Sequence, residues 1–425
     1  MSALRLAYRW FAQVAIVWLS AIPCAGTETS ALAGEPVATF LDGTTERLVL
    51  TGILAQGELL SAGARPSALR LDDLLEWRLP DATSRPGPPQ LTFAVHLRNG
   101  STLRVTAVHL ADEQVTLTWP LALAPVTLSI DEMARVEWPQ PQAQPPPQVQ
   151  PPDRSRLARE RTWVAAPDVD RLIIRDGDSW LNLTGLVTTI TAAQVEWETD
   201  GMARRFASDR VVALVLASPP GPARPGATRM LQLVDGSLLS STHVTLEKGV
   251  WSCALGEESR VQLPGSSVRR LVVRSSRVTW LSELVPERCE QQSLAAAPLP
   301  WRRDAALTGG PLRLAGETYE RGIALQAQTH CEFKLEGRYE LLVARVGLDD
   351  AAGGHGDCEI SVRGDASVPL AAWRQRGADP PRDLRLTVTG QRRMQLRVDY
   401  GAHLDLADHV DWAAARLIAP AQLTP

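Results

Sequence analysis

The feature that most constrains this chain is a turn that recurs. Four short apolar stretches each run into an Asp-Gly or Asn-Gly pair: Phe40-Leu41-Asp42-Gly43, Leu97-Arg98-Asn99-Gly100, Ile174-Arg175-Asp176-Gly177 and Leu233-Val234-Asp235-Gly236. Such pairs accept the positive φ angles that tight β-hairpins require. About 35 residues later each copy ends in an apolar segment, at 74–77, 134–138, 211–216 and 268–273. Between turn and end lie alternating stretches such as Val115-Thr116-Leu117-Thr118-Trp119 and Val244-Thr245-Leu246, the period of half-buried strands. The pattern predicts four divergent copies of one small β unit. A unit of this size is too small to bury a good core alone. Small barrels of the SH3 or Sm kind are one form it can take.

The turn spacing predicts how the units are grouped. From Gly43 to Gly100 is 57 residues and from Gly177 to Gly236 is 59, whereas Gly100 to Gly177 is 77. The surplus is a Pro/Gln tract, Pro139-Gln140-Pro141-Gln142-Ala143-Gln144-Pro145-Pro146-Pro147, which continues to Pro152. Repeated prolines lack amide donors and stay extended, so the tract reads as a semi-rigid exposed linker. The expected organisation is one pair of repeats over 37–138, a linker over 139–160 and a second pair over 161–278. Helix is scarce: single turns are expected at 131–135 and 266–270, and only 282–297 carries a longer helical pattern.

The last third of the chain is patterned differently. It contains Trp301-Arg302-Arg303-Asp304, Gly309-Gly310-Pro311-Leu312-Arg313-Leu314, Tyr319-Glu320-Arg321-Gly322-Ile323, Val346-Gly347-Leu348-Asp349-Asp350 and a closing Asp411-Trp412-Ala413-Ala414-Ala415-Arg416-Leu417. Between these markers lie alternating segments at 331–335, 384–388 and 394–398. Several half-buried antiparallel strands in about 120 residues predict a β-sandwich.

Over about 280–420 these motifs, in this order and with this spacing, resemble the NPCBM family, a carbohydrate-binding module type found beside glycoside hydrolases. The resemblance implies an all-β, galactose-binding-like sandwich of the jelly-roll type over 279–420, which binds glycans without catalysis of its own. Many relatives have a His where this chain has Gln326, a change that alters a polar contact.

Composition bounds the remaining classes. Hydrophobic content of 44% with 22% charged residues is ordinary for globular domains, and 425 residues suggest two or three of them. Net charge is −4 with no basic block, so nothing supports nucleic-acid binding. Arg5 and Arg9 precede an apolar run at 11–22, the length of a signal-peptide core and short for a membrane span. The expectation is a leader over 1–33, and an exported chain that does not span the membrane once the leader is removed. It would be periplasmic, at the cell surface or extracellular. Pro23 before Cys24 fits a lipoprotein signal poorly.

Beyond the leader four cysteines remain, Cys253, Cys289, Cys331 and Cys358, and they allow three sets of pairings. A bridge between Cys331 and Cys358, favoured by an oxidising compartment, stands beside the alternative of free buried thiols.

No motif for nucleophilic, metalloprotease, phosphate-loop or dinucleotide chemistry occurs. Asp349, Asp350, Asp357, Asp405, Asp408 and Asp411 supply loop carboxylates, but the repeat region lacks the βα alternation of a hydrolase barrel. The chain is therefore read as no enzyme, without an organic cofactor. Structural calcium is the expected ion: Asp349, Asp350 and Asp357 are its candidate oxygen ligands, while His403, Asp405, Asp408 and His409 form a second cluster whose His pair favours a transition metal less.

A sugar is recognised by aromatic faces together with a few planar polar groups. The candidates are Trp373 with Arg374, then Trp301, Tyr319 and Gln326, while Trp412 reads as core. The expected function is exported glycan binding. The alternatives are a structural envelope component making protein contacts, or a subunit that targets a separate glycoside hydrolase.

Overall fold

A computed structural model describes residues 35–62, 69–79, 92–139, 165–177, 179–218, 229–256, 259–292, 299–402, 404 and 407–421. The leader, most of the Pro/Gln tract, His403 and Asp405 lie outside these. Every regular element among the described residues is a β-strand or a one-turn 3-10 helix, so the all-β expectation is met. No helix among them is long and apolar enough to cross a membrane.

The four units share one plan. A first strand (Val37–Phe40, Phe93–Leu97, Asp170–Asp176, Arg229–Leu233) turns at the glycine into a second, and two more strands follow. A 3-10 turn (Leu71–Asp73, Ile130–Glu132, Ser208–Arg210, Gly265–Ser267) then leads into a last strand that pairs back on the first. The second strand breaks in two in units one, two and four, as in Thr102–Val105 and Ala107–Ala111. In unit three it runs unbroken over Ser179–Ile190. The single turns expected at 131–135 and 266–270 are present, and the same turn recurs in the other two units.

The linker spacing groups unit one with two and unit three with four. The ladders run otherwise. The last strand of unit one, Leu74–Arg78, pairs with that of unit four, Val268–Val273, and Met133–Glu137 of unit two pairs with Val211–Val215 of unit three. Neighbours in the chain are thus not neighbours in these ladders, which join last strand to last strand. One continuous core results, with Trp77, Trp138, Trp197 and Trp251 from the four units in a single cluster. Each fully buried side chain of this size contributes roughly 1.5–3 kcal/mol.

Beyond unit four the chain enters the sandwich without a spacer: Val278–Trp280 pairs with His409–Ile418. The 282–297 segment is not a helix. It forms one 3-10 turn, Leu281–Glu283, then the strand Arg288–Gln291, with 293–298 outside the described residues. Pro286 disfavours helical backbone at Val285, and pairing with Thr329–Lys334 draws the following residues into a sheet.

Two antiparallel sheets make the sandwich, one of six strands, counting Val278–Trp280 beside His409–Ile418, and one of five. One runs Arg302–Arg303, Gly322–Gln326, His409–Ile418, Leu341–Leu348, Arg382–Thr387; the other runs Arg288–Gln291, Thr329–Lys334, Arg393–Tyr400, Asp357–Arg363, Pro369–Arg376. Leu325, Phe333, Val346, Ile360, Leu396 and Trp412 pack between them. Gly322 is needed for contact rather than for a turn: a Cβ there would lie 2.3 Å from the Trp412 carbonyl oxygen.

The outer face of the first sheet docks on unit one. Leu41, Val343 and Ile418 form a small core of their own. Buried Arg416 donates from Nε to the Leu41 carbonyl at 2.9 Å, and Asp42 pairs with Arg385 at 3.0 Å. Arg277 bridges Asp73 of unit one and Glu340 of the sandwich, at 2.6 and 3.3 Å. Gly43 carries φ +86°, and a Cβ there would meet Val343 at 2.9 Å, so the recurring turn is also a docking surface.

Candidate functional site

The residues named from sequence as sugar contacts fall at separate places. Trp373 lies on Pro369–Arg376, at one end of the second sheet, with its ring turned toward the interior. It meets Trp412 edge to face at 6.3 Å, and the Arg382 guanidinium stands 5.2 Å from its ring centre. Arg374 points the other way and is held by Asp357, donating from Nε to Oδ1 at 2.6 Å and from Nη2 to Oδ2.

Trp301 lies elsewhere: the strand it precedes, Arg302–Arg303, is the edge strand of the first sheet, whereas Pro369–Arg376 is an edge strand of the second. It precedes Arg302–Arg303, which pairs with Gly322–Gln326 along the edge of the first sheet. Two glutamines fix its backbone. Gln291 Oε1 accepts from the Trp301 amide at 3.1 Å while Gln291 Nε2 donates to the Leu299 carbonyl at 3.0 Å. Gln326 Oε1 accepts from the Leu299 amide at 2.8 Å. Buried Gln326 is thus a clamp on the segment carrying Trp301. Trp301, Arg302, Arg303 and Ala305 line a shallow open depression, and the Arg303 guanidinium stands 4.9 Å from the Trp301 ring centre. A half-buried indole beside two exposed guanidinium groups supplies an apolar face and planar donors together.

Tyr319 sits on the hairpin Leu312–Leu314/Glu317–Tyr319, packed on Leu307, Leu312 and Ala324. Its hydroxyl donates to Glu317 at 2.7 Å, and burial with that bond raises its pKa. It covers the outer face of the first sheet, outside the depression.

The three candidate calcium ligands each have protein partners. Asp350 accepts from the amides of Ala315 and Gly316, both at 2.8 Å, and so holds the turn of that hairpin. Asp349 caps the 3-10 turn Asp350–Ala352 through the Ala351 amide at 2.8 Å. Asp357 is neutralised by Arg374, which holds its carboxyl well below the usual range. Among the described residues no three His, Cys, Asp or Glu side chains are grouped as metal ligands. The carboxylates are taken up by backbone and guanidinium donors rather than gathered around one point.

Sequence reasoning missed a carboxyl pair. Asp411, fully buried under the hairpin, accepts from the Arg313 amide at 3.2 Å and has its pKa pushed up to about 9 by burial, then by its hydrogen bond with Asp349. Only the neighbouring Asp-rich turn and the closing Asp-Trp hinted at it.

The disulfide expectation is corrected. Cys331 bonds to Cys289, directly opposite it on the adjacent strand, and Cys358 is a buried free thiol. Cys331 faces Leu396, which faces Val362, so Cys358 lies two strands across and four residues along. That offset exceeds the roughly 7 Å Cα separation a disulfide can span.

The model of the NPCBM/NEW2 domain matches residues 277–418. The C-terminal sandwich is an NPCBM/NEW2 domain. The match begins one residue before the strand Val278–Trp280 that follows unit four and ends at the last residue of His409–Ile418, so it takes in both sheets of the sandwich. A Renibacterium salmoninarum protein named "Putative endo-alpha-N-acetylgalactosaminidase" is 24% identical over 117 residues, which is 28% of this chain and 8% of that protein. Among solved structures, the CBM51 module of a Clostridium perfringens GH95 protein in complex with methyl-galactose is 22% identical. It covers 33% of this chain and 99% of its own, with a TM-score of 0.30. The tandem CBM51 modules of a Streptococcus pneumoniae family 98 glycoside hydrolase are 9% identical over 77% of this chain and 88% of theirs, with the same TM-score.

Proposed function

We propose that this protein is an exported, non-catalytic glycan-binding protein whose NPCBM/NEW2 domain takes a saccharide at the Trp301 edge of the sandwich. The observation that carries this reading is the open depression in which Trp301 borders Arg302, Arg303 and Ala305. An indole there offers a pyranose its apolar face, and the guanidinium groups offer planar donors for hydroxyl or carboxylate oxygens. Trp373, packed on Trp412, is less able to do so.

Export is supported by the two arginines ahead of the apolar run at 11–22, and by the bond between Cys289 and Cys331, which suits an oxidising compartment. The four units, for which a small-barrel form remains the expectation, present this domain as one body.

Targeting a separate hydrolase is the second reading. The curated relative carries a hydrolase name, but this chain matches 8% of it, so its activity is not assigned here. A glycan array probed with the full chain tests the proposal: saturable binding to a defined set of saccharides is expected, and no binding above background would reject it. Release of labelled sugar from any of them by the chain alone would reject the non-catalytic part.

A further inference from the structure

Two kinds of ladder join the four units, and each pairs equivalent residues with each other. The first kind joins last strands. Trp77 faces Leu271 in one pair and Val136 faces Leu214 in the other, each three residues into its strand. The same pairs also meet at Ile53 and Leu246, and at Leu110 and Ile190. The second kind joins unit two to unit four through their second strands, where Thr102 faces Leu238, each two residues past its turn glycine. It is reinforced by Asn99 Nδ2, which donates to the Ser240 carbonyl at 2.9 Å, and by Trp119 Nε1, which donates to Asp235 at 2.9 Å. In space the units therefore run one, four, two, three.

This order leaves the second kind of edge open at both ends of the row. At unit one the turn is covered by the sandwich, and the short strand beyond it, Thr45–Arg47, is polar, with Arg47 paired to Glu35. Such an edge is blunted against pairing. At unit three the edge is the long strand Ser179–Ile190. Asn182 stands eight residues before Ile190, as Thr102 stands before Leu110 and Leu238 before Leu246. Around it Trp180, Leu181 and Leu186 are 38%, 46% and 51% exposed. Residues 179–185 pair with Asp170–Asp176 and with no other strand among the described residues. Residues 179–184 carry no charge, so nothing in the strand repels a second copy of itself.

We propose that this edge of unit three pairs with the same edge of a second copy of the chain, antiparallel and centred on Asn182, giving a two-fold dimer. The ladder between units two and four shows that the edge is complementary to its own equivalent. A self-complementary patch closes at two copies. Pairing would cover the exposed Leu181 and fill an edge that no other strand among the described residues occupies. The NPCBM/NEW2 domains, docked on unit one at the far end of each row, would then be carried as two.

The test uses the full chain. Sedimentation velocity over a concentration series is expected to give twice the mass of one chain, and Leu181→Lys is expected to return it to one chain with an unchanged melting temperature. Asn182→Cys is expected to form a disulfide-linked dimer on mild oxidation, because facing Cα atoms would lie about 4.5–5.5 Å apart. Thr45→Cys is not. A wild-type chain that stays single at the highest concentration would overturn the proposal. So would a dimer that survives Leu181→Lys, or mixed crosslinking of Thr45→Cys with Asn182→Cys into open-ended oligomers.

Discussion

The four-unit body and the sandwich are both stacks of antiparallel strands, yet they close their cores differently. The core of the four units runs on from one to the next, with Trp77, Val136, Leu214 and Leu271 on last strands that pair between units. The sandwich closes on itself, with a six-stranded and a five-stranded sheet around Phe333, Ile360 and Trp412 and a disulfide on one sheet. In the first case stability is shared between distant parts of the sequence; in the second it is local to one domain.

The largest expected effects probe this difference directly. Trp412→Ala removes a fully buried indole and should cost the sandwich about 3–5 kcal/mol. Melting followed by hydrogen exchange should show the sandwich opening first while the four units stay protected. Leu271→Ala, at the centre of the ladder between units one and four, should cost about 2–5 kcal/mol. It should loosen Leu74–Arg78 and Val268–Val273 together, although nearly 200 residues separate them. If only unit four loses protection, the shared core is wrong.

A smaller step is Cys289→Ser. It removes the bridge to Cys331 and should destabilise the sandwich by about 2–4 kcal/mol, with no change in the body. Loss of protection in the four units would show that the two regions are not separable in this way.

What could be read in the sequence follows the same division. The strands and turns of the units were legible because Asp42-Gly43, Asn99-Gly100, Asp176-Gly177 and Asp235-Gly236 fix local backbone. Their pairing was not, since register between units depends on which apolar edges match in space. The sandwich was legible from motifs, but Gly322 and Asp411 prove architectural: the first gives way to the Trp412 backbone and the second anchors a hairpin. Trp301 and Trp373 look alike as isolated letters in a sequence. Only the strand order places one beside an open depression and the other against Trp412. The disulfide was misjudged for the same reason, because Cys289 becomes the neighbour of Cys331 only once Arg288–Gln291 joins the sheet edge.

The smallest effect is electrostatic and confined to the sandwich. Burial pushes the Asp411 pKa up to about 9 in the folded state, whereas the unfolded carboxyl releases its proton near the ordinary aspartate value of 3.8. The contribution of this group is therefore complete below pH 3.8 and declines as pH rises toward 9. Asp411→Asn keeps an acceptor for Arg313 and a donor for Asp349 without titrating. It should flatten the decline in denaturation curves taken from pH 5 to 9, and at the upper end be more stable than wild type by about 1 kcal/mol or more. An unchanged slope would remove the raised pKa of Asp411 from the account.

The measurement that bears most directly on the central claim is affinity for an array-identified saccharide, read by titration calorimetry on the full chain and two variants. Placing the site at the Trp301 edge predicts that Trp301→Ala weakens binding at least about tenfold, a loss of roughly 1.4 kcal/mol. Trp373→Ala should lower the melting temperature and leave affinity within about twofold, well under that 1.4 kcal/mol. Unchanged affinity in Trp301→Ala, with binding lost in a folded Trp373→Ala, would contradict the account and move the site to the Trp373 edge.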